Sequence, residues 1–120
     1  MTDISEGIVL FNNENFFEAH DYFEALWIKA DKEERLFYQG LVQMSVGCFH
    51  LICGNYSGAL SQFNRGTDKL NQYVPEYYGI DLEKLLEEIN YLIESIIMFN
   101  AEKTPIDLTK IPKIEYNQIA

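Results

Sequence analysis

The sequence predicts an all-α fold, a single-domain bundle of about five antiparallel helices. Apolar residues recur every three to four positions along most of the chain, which is the spacing of one buried helix face. An Asn or Asp followed three residues later by Glu occurs at Asp3, Asn15 and Asp31. Such a side chain accepts a hydrogen bond from a free backbone N–H at a helix start, while the Glu reaches back. The repetition of this pattern predicts three helix starts within the first 34 residues.

The helices are predicted at residues 3–12, 16–30, 32–53, 56–73 and 82–100. Asn55 and Asp81 are the expected N-caps of the last two. The first three links are short, so consecutive helices should pack as antiparallel neighbours. We therefore expect a helical domain over residues 1–103, followed by an extended tail over residues 104–120 that contains two prolines.

The composition indicates an acidic globular protein. The chain has 120 residues, a formal net charge of −10 and 48% hydrophobic residues. Such a surface repels phosphate groups, so we expect neither nucleic acid nor a membrane as a partner. Cys48 and Cys53 are poorly placed for a mutual disulfide, and the N-terminus does not resemble a signal peptide. These features predict a cytoplasmic protein.

The second predicted helix carries a histidine within an aromatic stripe. Phe16, His20 and Trp27 lie on one helix face, and Glu24 follows His20 by one turn. A carboxylate at that spacing could orient the imidazole as a general base or a metal ligand. The alternative is a buried histidine that only satisfies its own hydrogen bonds. The sequence favours the structural alternative.

The third predicted helix carries a second polar group beside glycines. Gln43 and His50 share a face with Gly40 and Gly47, and Gln39 lies one turn before Gln43. Glycines let a neighbouring helix approach closely, and the second helix is the expected neighbour. We therefore expect these three residues to converge with His20 and Glu24 into one polar cluster, which Phe16 and Trp27 should border.

Three motifs together resemble the bacterial domain-of-unknown-function family 309. They are Phe17-Glu-Ala-His-Asp with Glu24 and Trp27, Phe37-Tyr-Gln-Gly-Leu-Val-Gln with His50, and Gly54-Asn-Tyr-Ser-Gly-Ala with Arg65. The likeness extends from about residue 6 to residue 100. It implies a small all-helical protein and brings no established activity. Asp21 stands where the family usually has Glu.

A complete catalytic or metal-binding constellation is not evident. Di-iron bundles use Glu-x-x-His, which the chain lacks, and zinc sites want at least three ligands. A metal at His20, Glu24 and His50 is left open, and no cofactor is expected. Arg65 and Asn55 are candidate contacts for a ligand or an anion. No residue is assigned as catalytic.

The first functional hypothesis is a non-catalytic module that binds a protein partner, or itself, through a groove or an aromatic patch. Tyr73, Tyr77 and Tyr78 are candidate contacts, unless they only cover one end of the core. The alternative is a metal- or histidine-dependent hydrolase-like enzyme that uses the polar cluster. A third possibility is a small-ligand sensor in which Gln39, Gln43 and Arg65 recognise a polar or anionic molecule.

Overall fold

Five α-helices follow one another in the computed structural model, which describes residues 3–117, and they confirm the all-α class. Two single-turn 3-10 helices and two very short strands complete the described part. The predicted tail residues 118–120, like residues 1 and 2, lie outside it. The helices are α1 (Ser5–Asn12), α2 (Phe16–Lys29), α3 (Arg35–Ile52), α4 (Tyr56–Leu70) and α5 (Leu82–Glu102).

Two of the predicted N-caps are confirmed. The Asn55 side chain accepts a hydrogen bond from the Gly58 backbone N–H at the start of α4. The Asp81 side chain accepts one from the Lys84 N–H at the start of α5. Each bond satisfies a backbone donor that the first turn of a helix leaves free.

The three earlier capping boxes are wrong in detail. Asp3 accepts hydrogen bonds from the Ser5 backbone and hydroxyl, so its carboxylate serves the turn before α1. Asn15 occupies the N-cap position of α2 without a side-chain cap bond. Asp31 begins a separate turn, in which its carbonyl accepts from the Glu34 N–H, and α3 starts only after that turn.

Helix α3 is the central element of the bundle, with α2 on one side and α4 on the other. Its inward side chains are completely or almost completely buried. They include Phe37, Leu41, Met44, Cys48 and Leu51. Burial of this apolar surface is the main stabilising contribution that α3 makes to the fold.

The glycines of α3 face α4, which corrects the expectation that they would face the second helix. A Cβ atom on Gly47 would lie 2.6 Å from the Phe63 ring, and one on Gly40 would lie 2.7 Å from Leu70. A Cβ on Gly66 of α4 would in turn lie 3.2 Å from the Gly40 carbonyl oxygen. Close approach therefore occurs at the α3–α4 seam, where large side chains of α4 fill the space.

The link between α4 and α5 contains a hairpin that the sequence did not predict. Strands β1 (Glu76–Tyr77) and β2 (Ile80–Asp81) pair antiparallel. The two turn residues between them, Tyr78 and Gly79, have φ of 50° and 79°. Positive φ at both positions is typical of a type I′ turn, whose twist matches that of the strands.

The described end of the chain packs across the bundle as an irregular segment. Ile111, Pro112 and Ile114 are buried. The Asn12 side chain donates to the Ile114 carbonyl at 3.0 Å and accepts from the Ile114 N–H at 2.7 Å. Further on, Tyr116 forms an antiparallel bridge with Ile80. The segment thus connects the end of α1 with the hairpin before α5.

Candidate functional site: an aromatic cavity between α2 and α3

A cavity of about 230 Å³ lies between α2 and α3 and is partly open to solvent. One wall belongs to the first half of α2 and the other to the second half of α3. Its lining residues are Phe16, Phe17, His20, Val46, Phe49 and His50. Apolar side chains with two imidazoles at one site give a hydrophobic surface with a few polar groups, which is typical of ligand pockets.

Aromatic rings run in an uninterrupted row along the cavity. The Phe17 ring lies edge-on to the His20 ring, with centroids 5.2 Å apart, and edge-on to the Phe49 ring at 5.8 Å. The Phe49 ring then lies 6.3 Å from the His50 ring. Phe17 remains 53% exposed despite these contacts. An exposed ring that lies between the His20 imidazole and Phe49 leaves apolar surface available to a further group.

The His20 imidazole is oriented through its Nδ1 atom. Nδ1 lies 2.9 Å from the Phe17 carbonyl oxygen and 3.5 Å from Asp21 Oδ1. A carbonyl oxygen only accepts hydrogen bonds, so Nδ1 carries the proton and donates it. In the neutral ring Nε2 is then the nitrogen with the free lone pair. The carboxylate beside His20 is therefore Asp21 and not the predicted Glu24.

The His50 imidazole is held in the opposite sense. Its Nδ1 lies 3.4 Å from the Asn55 amide nitrogen, which can only donate. The other amide atom of Asn55 is occupied, because Oδ1 accepts from the Gly58 N–H. Nδ1 of His50 therefore accepts, and Nε2 carries the proton in the neutral ring. Asn55 both caps α4 and orients one of the two histidines.

The five predicted polar residues do not form a single cluster. Gln43 belongs to the α3–α4 seam, where its Oε1 accepts a hydrogen bond from Lys69 Nζ at 3.0 Å. Glu24 and Gln39 are half-buried and are not part of the cavity lining in the described chain. The cluster divides because Gly40 and Gly47 bring α4, and not α2, against the face of α3 that carries Gln43. Of the five predicted polar residues, His20 and His50 are the two that line the cavity in the described part of the chain.

Of the other residues predicted to border or contact the site, one lines the cavity and the rest lie outside the described lining. Phe16 lines it, whereas Trp27 is half-buried below the Arg35 guanidinium, whose carbon lies 5.9 Å from the ring centroid. This stacking is a cation–π contact. Arg65 is exposed on α4 and is not among the described lining residues. Asn55 reaches the site indirectly, through His50.

The tyrosines proposed as partner contacts pack around Phe37. The ring centroids of Tyr73, Tyr77 and Tyr78 lie 5.5, 4.8 and 5.8 Å from that of Phe37. Tyr73 donates to the Glu33 carbonyl, and Tyr78 donates to the Glu34 carboxylate. The hydrogen bond to Glu34 raises the pKa of Tyr78, with burial as a second cause. These rings cover the end of the core near the start of α3.

The sequence does not indicate that several of the apolar residues line a cavity. Phe17, Val46 and Phe49 have the periodicity of ordinary apolar helix positions, so no sequence signal separates them from the core. Phe17 could have been found from its spacing, since it precedes His20 by three residues and so shares its face. The contact of Asp21 with His20 could not have been found in this way, because adjacent residues of a helix usually point apart.

No set of three or more His, Cys, Asp or Glu side chains in residues 3–117 is placed to hold a metal ion. His20 and His50 supply two nitrogen donors, and zinc sites ordinarily take three or four protein ligands. None of the helices in the described residues has the length and apolar character needed to cross a bilayer.

The fold and its cavity define a small all-α bundle protein with a histidine-flanked aromatic site. The family model described as "Domain of unknown function (DUF309)" matches residues 4–62. This match supports the resemblance to the same family that the motifs indicate. The matched segment spans α1 to the first half of α4 and includes both walls of the cavity. No curated protein matches the sequence.

Proposed function

We propose that this protein is a non-catalytic binding module whose α2–α3 cavity receives one large apolar side chain of a protein partner. The observation that supports the proposal is the cavity itself, in which the half-exposed Phe17 ring lies between His20 and Phe49. Aromatic rings that line a concave surface are typical of binding sites in proteins. The unpaired cysteines Cys48 and Cys53 favour a cytoplasmic location for the module.

The size of the cavity supports an anchor side chain over a larger ligand. Pockets for drug-sized ligands measure about 300 to 1,000 Å³, and this cavity measures about 230 Å³. An apolar cavity of about 150 Å³ already accepts benzene. A single Trp, Phe or Leu side chain therefore fits the available space, whereas a nucleotide-sized cofactor does not.

The test is a titration with N-acetyl-tryptophanamide, a neutral probe for an apolar anchor, followed by ¹H–¹⁵N NMR. Saturable shifts should be centred on the backbone amides of His20, Val46 and His50. Val46→Phe should abolish them, because the added ring occupies the cavity. Val9→Phe is the matched control, since the exposed Val9 lies on α1 outside the cavity lining. Shifts centred elsewhere, or unchanged in the Val46 variant, would contradict the proposal.

A histidine-dependent hydrolase is the second candidate, and one observation favours it. The His20 Nδ1 proton is donated to Phe17 and faces Asp21, so Nε2 is available as a general base. It would take a proton from water as that water attacks an ester carbonyl. Turnover of p-nitrophenyl acetate that persists in His50→Gln and is lost in His20→Gln would support this candidate. Equal loss in both variants would contradict it.

A further inference from the structure

The charges beside the cavity indicate what kind of partner fits it. We propose that the occupant is a peptide segment in which Lys or Arg residues flank the large apolar anchor. This inference rests on the proposed function, since it concerns the same cavity. It adds the chemical class of the partner and predicts how binding responds to salt.

The two walls of the cavity differ in charge, and neither contributes Lys or Arg. Residues 16–28 of α2 contain Glu18, Asp21 and Glu24 and no Lys or Arg. Residues 36–52 of α3 contain no Asp, Glu, Lys or Arg. The α2 side therefore carries three carboxylates, while the α3 side carries no carboxylate, Lys or Arg. A cationic segment would be attracted to the α2 side and would not be repelled by the α3 side.

The acidic side chains are available to an incoming cation. The Asp21 side chain is 61% exposed, and its Oδ1 lies beside the imidazole of His20. Glu18 is exposed and Glu24 is half-buried. Within residues 3–117 the Lys and Arg ion pairs are Lys84–Glu115 and Lys113–Glu14, so no described Lys or Arg pairs with the carboxylates of α2.

The geometry places the negative charge beside the apolar surface. Asp21 Oδ1 lies 3.5 Å from Nδ1 of His20, a residue that lines the cavity. A Lys next to an anchored side chain has a long flexible stem that can reach such a rim carboxylate. One anchor in an apolar pocket with charged neighbours at its rim is the usual arrangement of a small interface.

The overall charge disfavours other occupants. A second copy of this chain would bring a further net charge of −10 toward an acidic wall. Nucleic acid and anionic lipid surfaces would be repelled for the same reason. Of these occupants, a basic peptide segment is the one that has both a charge attracted to the acidic α2 wall and an apolar anchor for the cavity.

The test compares four end-capped peptides by NMR titration against the intact protein. They are Lys-Lys-Trp-Lys-Lys, Gly-Gly-Trp-Gly-Gly, Glu-Glu-Trp-Glu-Glu and Lys-Lys-Gly-Lys-Lys. At low salt the first should bind about fivefold tighter than the second, and the third should bind weakest. This advantage should shrink toward parity in about 1 M NaCl, because salt screens exposed charges.

Matched variants separate local from overall charge. Asp21→Asn with Glu24→Gln should remove most of the preference for the lysine peptide while the glycine peptide binds as before. Glu83→Gln with Glu87→Gln changes the net charge equally on exposed positions of α5 and should keep the preference. If both double variants lost the preference for the lysine peptide equally, the proposal that the α2 carboxylates cause this preference would be overturned.

The outcomes also separate this inference from the proposed function. Equal affinity of all three Trp peptides, with shifts at the cavity, would overturn the inference and leave the proposed function standing. The inference would also be overturned if Lys-Lys-Gly-Lys-Lys bound as tightly as Lys-Lys-Trp-Lys-Lys. No shift at the cavity with any Trp peptide would overturn both.

Discussion

His20 and His50 use the same nitrogen atom, Nδ1, in opposite hydrogen-bonding roles. His20 donates from Nδ1 to a carbonyl in its own helix, and His50 accepts at Nδ1 from Asn55. When both rings are neutral, Nε2 of His20 is an acceptor and Nε2 of His50 is a donor. The site therefore combines one acceptor and one donor within an apolar lining, which allows polar selectivity without a fixed charge.

Tyr78 provides the pH prediction at this scale. Its hydrogen bond to Glu34 stabilises the neutral hydroxyl and raises the pKa of Tyr78 above that of a free tyrosine. The stability that this contributes is present below the unfolded-state pKa of about 10 and is lost as the pH rises above it. Glu34→Gln should lower the pKa of Tyr78, measured from absorbance at 295 nm as the difference from Tyr78→Phe. Glu87→Gln is the control, and an equal shift there would contradict the assignment.

Helix α3 is the element on which both seams of the bundle depend. Toward α4 it presents glycines, whose missing side chains are replaced by Phe63 and Leu70. Toward α2 it presents Val46 and Phe49, which line the cavity. One seam is therefore filled by side chains of the neighbouring helix, and the other keeps an opening.

Gly47→Ala should destabilise the protein although alanine is the better helix former. The new methyl group would lie 2.6 Å from the Phe63 ring, so the ring or the helix must move. Overpacking of this kind costs about 1 to 3 kcal/mol in the free energy of unfolding, measurable by urea denaturation. Phe63→Leu in the same chain should recover part of that loss. Additive destabilisation by the two changes would contradict the proposed contact.

The sequence predicts the helices well and their mutual orientation poorly. Periodicity and the caps at Asn55 and Asp81 predict the first and last residues of α4 and α5 to within a few positions. Which neighbour the glycines of α3 face depends on the packing of three helices at once, and no local pattern contains that information. The sequence does not predict the hairpin because strands of two residues are too short to show an alternating pattern.

The same reasoning applies to the candidate site. His20, His50 and Phe16 were identified because polar residues on an aromatic face are conspicuous. The sequence does not reveal that Gln43 belongs to the α3–α4 seam, because its partner, Lys69, lies 26 positions further along the chain on another helix. The apolar lining of a cavity has the same composition as a core, so sequence alone does not distinguish them.

At the scale of the whole molecule, the irregular segment after α5 connects distant parts of an elongated bundle. The described chain measures 47 × 25 × 24 Å. Ile114 is fastened to Asn12 at the end of α1, while Tyr116 pairs with Ile80 in the hairpin. The first helix and the α4–α5 link are therefore joined by residues more than 100 positions from Asn12.

Asn12→Ala tests this connection. It removes both hydrogen bonds to Ile114, which should reduce the free energy of unfolding by about 1 to 3 kcal/mol. The Ile114 amide should also exchange its hydrogen faster, since it loses its acceptor. Asn64→Ala, at an exposed position of α4, is the control and should change neither quantity appreciably. Unchanged exchange at Ile114 in Asn12→Ala would contradict the connection.

The glycine seam has a consequence for affinity as well as for stability. Because Val46 and His50 belong to the same helix as the glycines of this seam, the distance between α3 and α4 also affects where Val46 and His50 lie relative to α2. Lengthening a side chain at Gly40 or Gly47 would push α3 toward α2 and narrow the opening. Substitutions at these glycines would thus alter the affinity for the proposed occupant of the cavity, although neither glycine is among the described residues that line it.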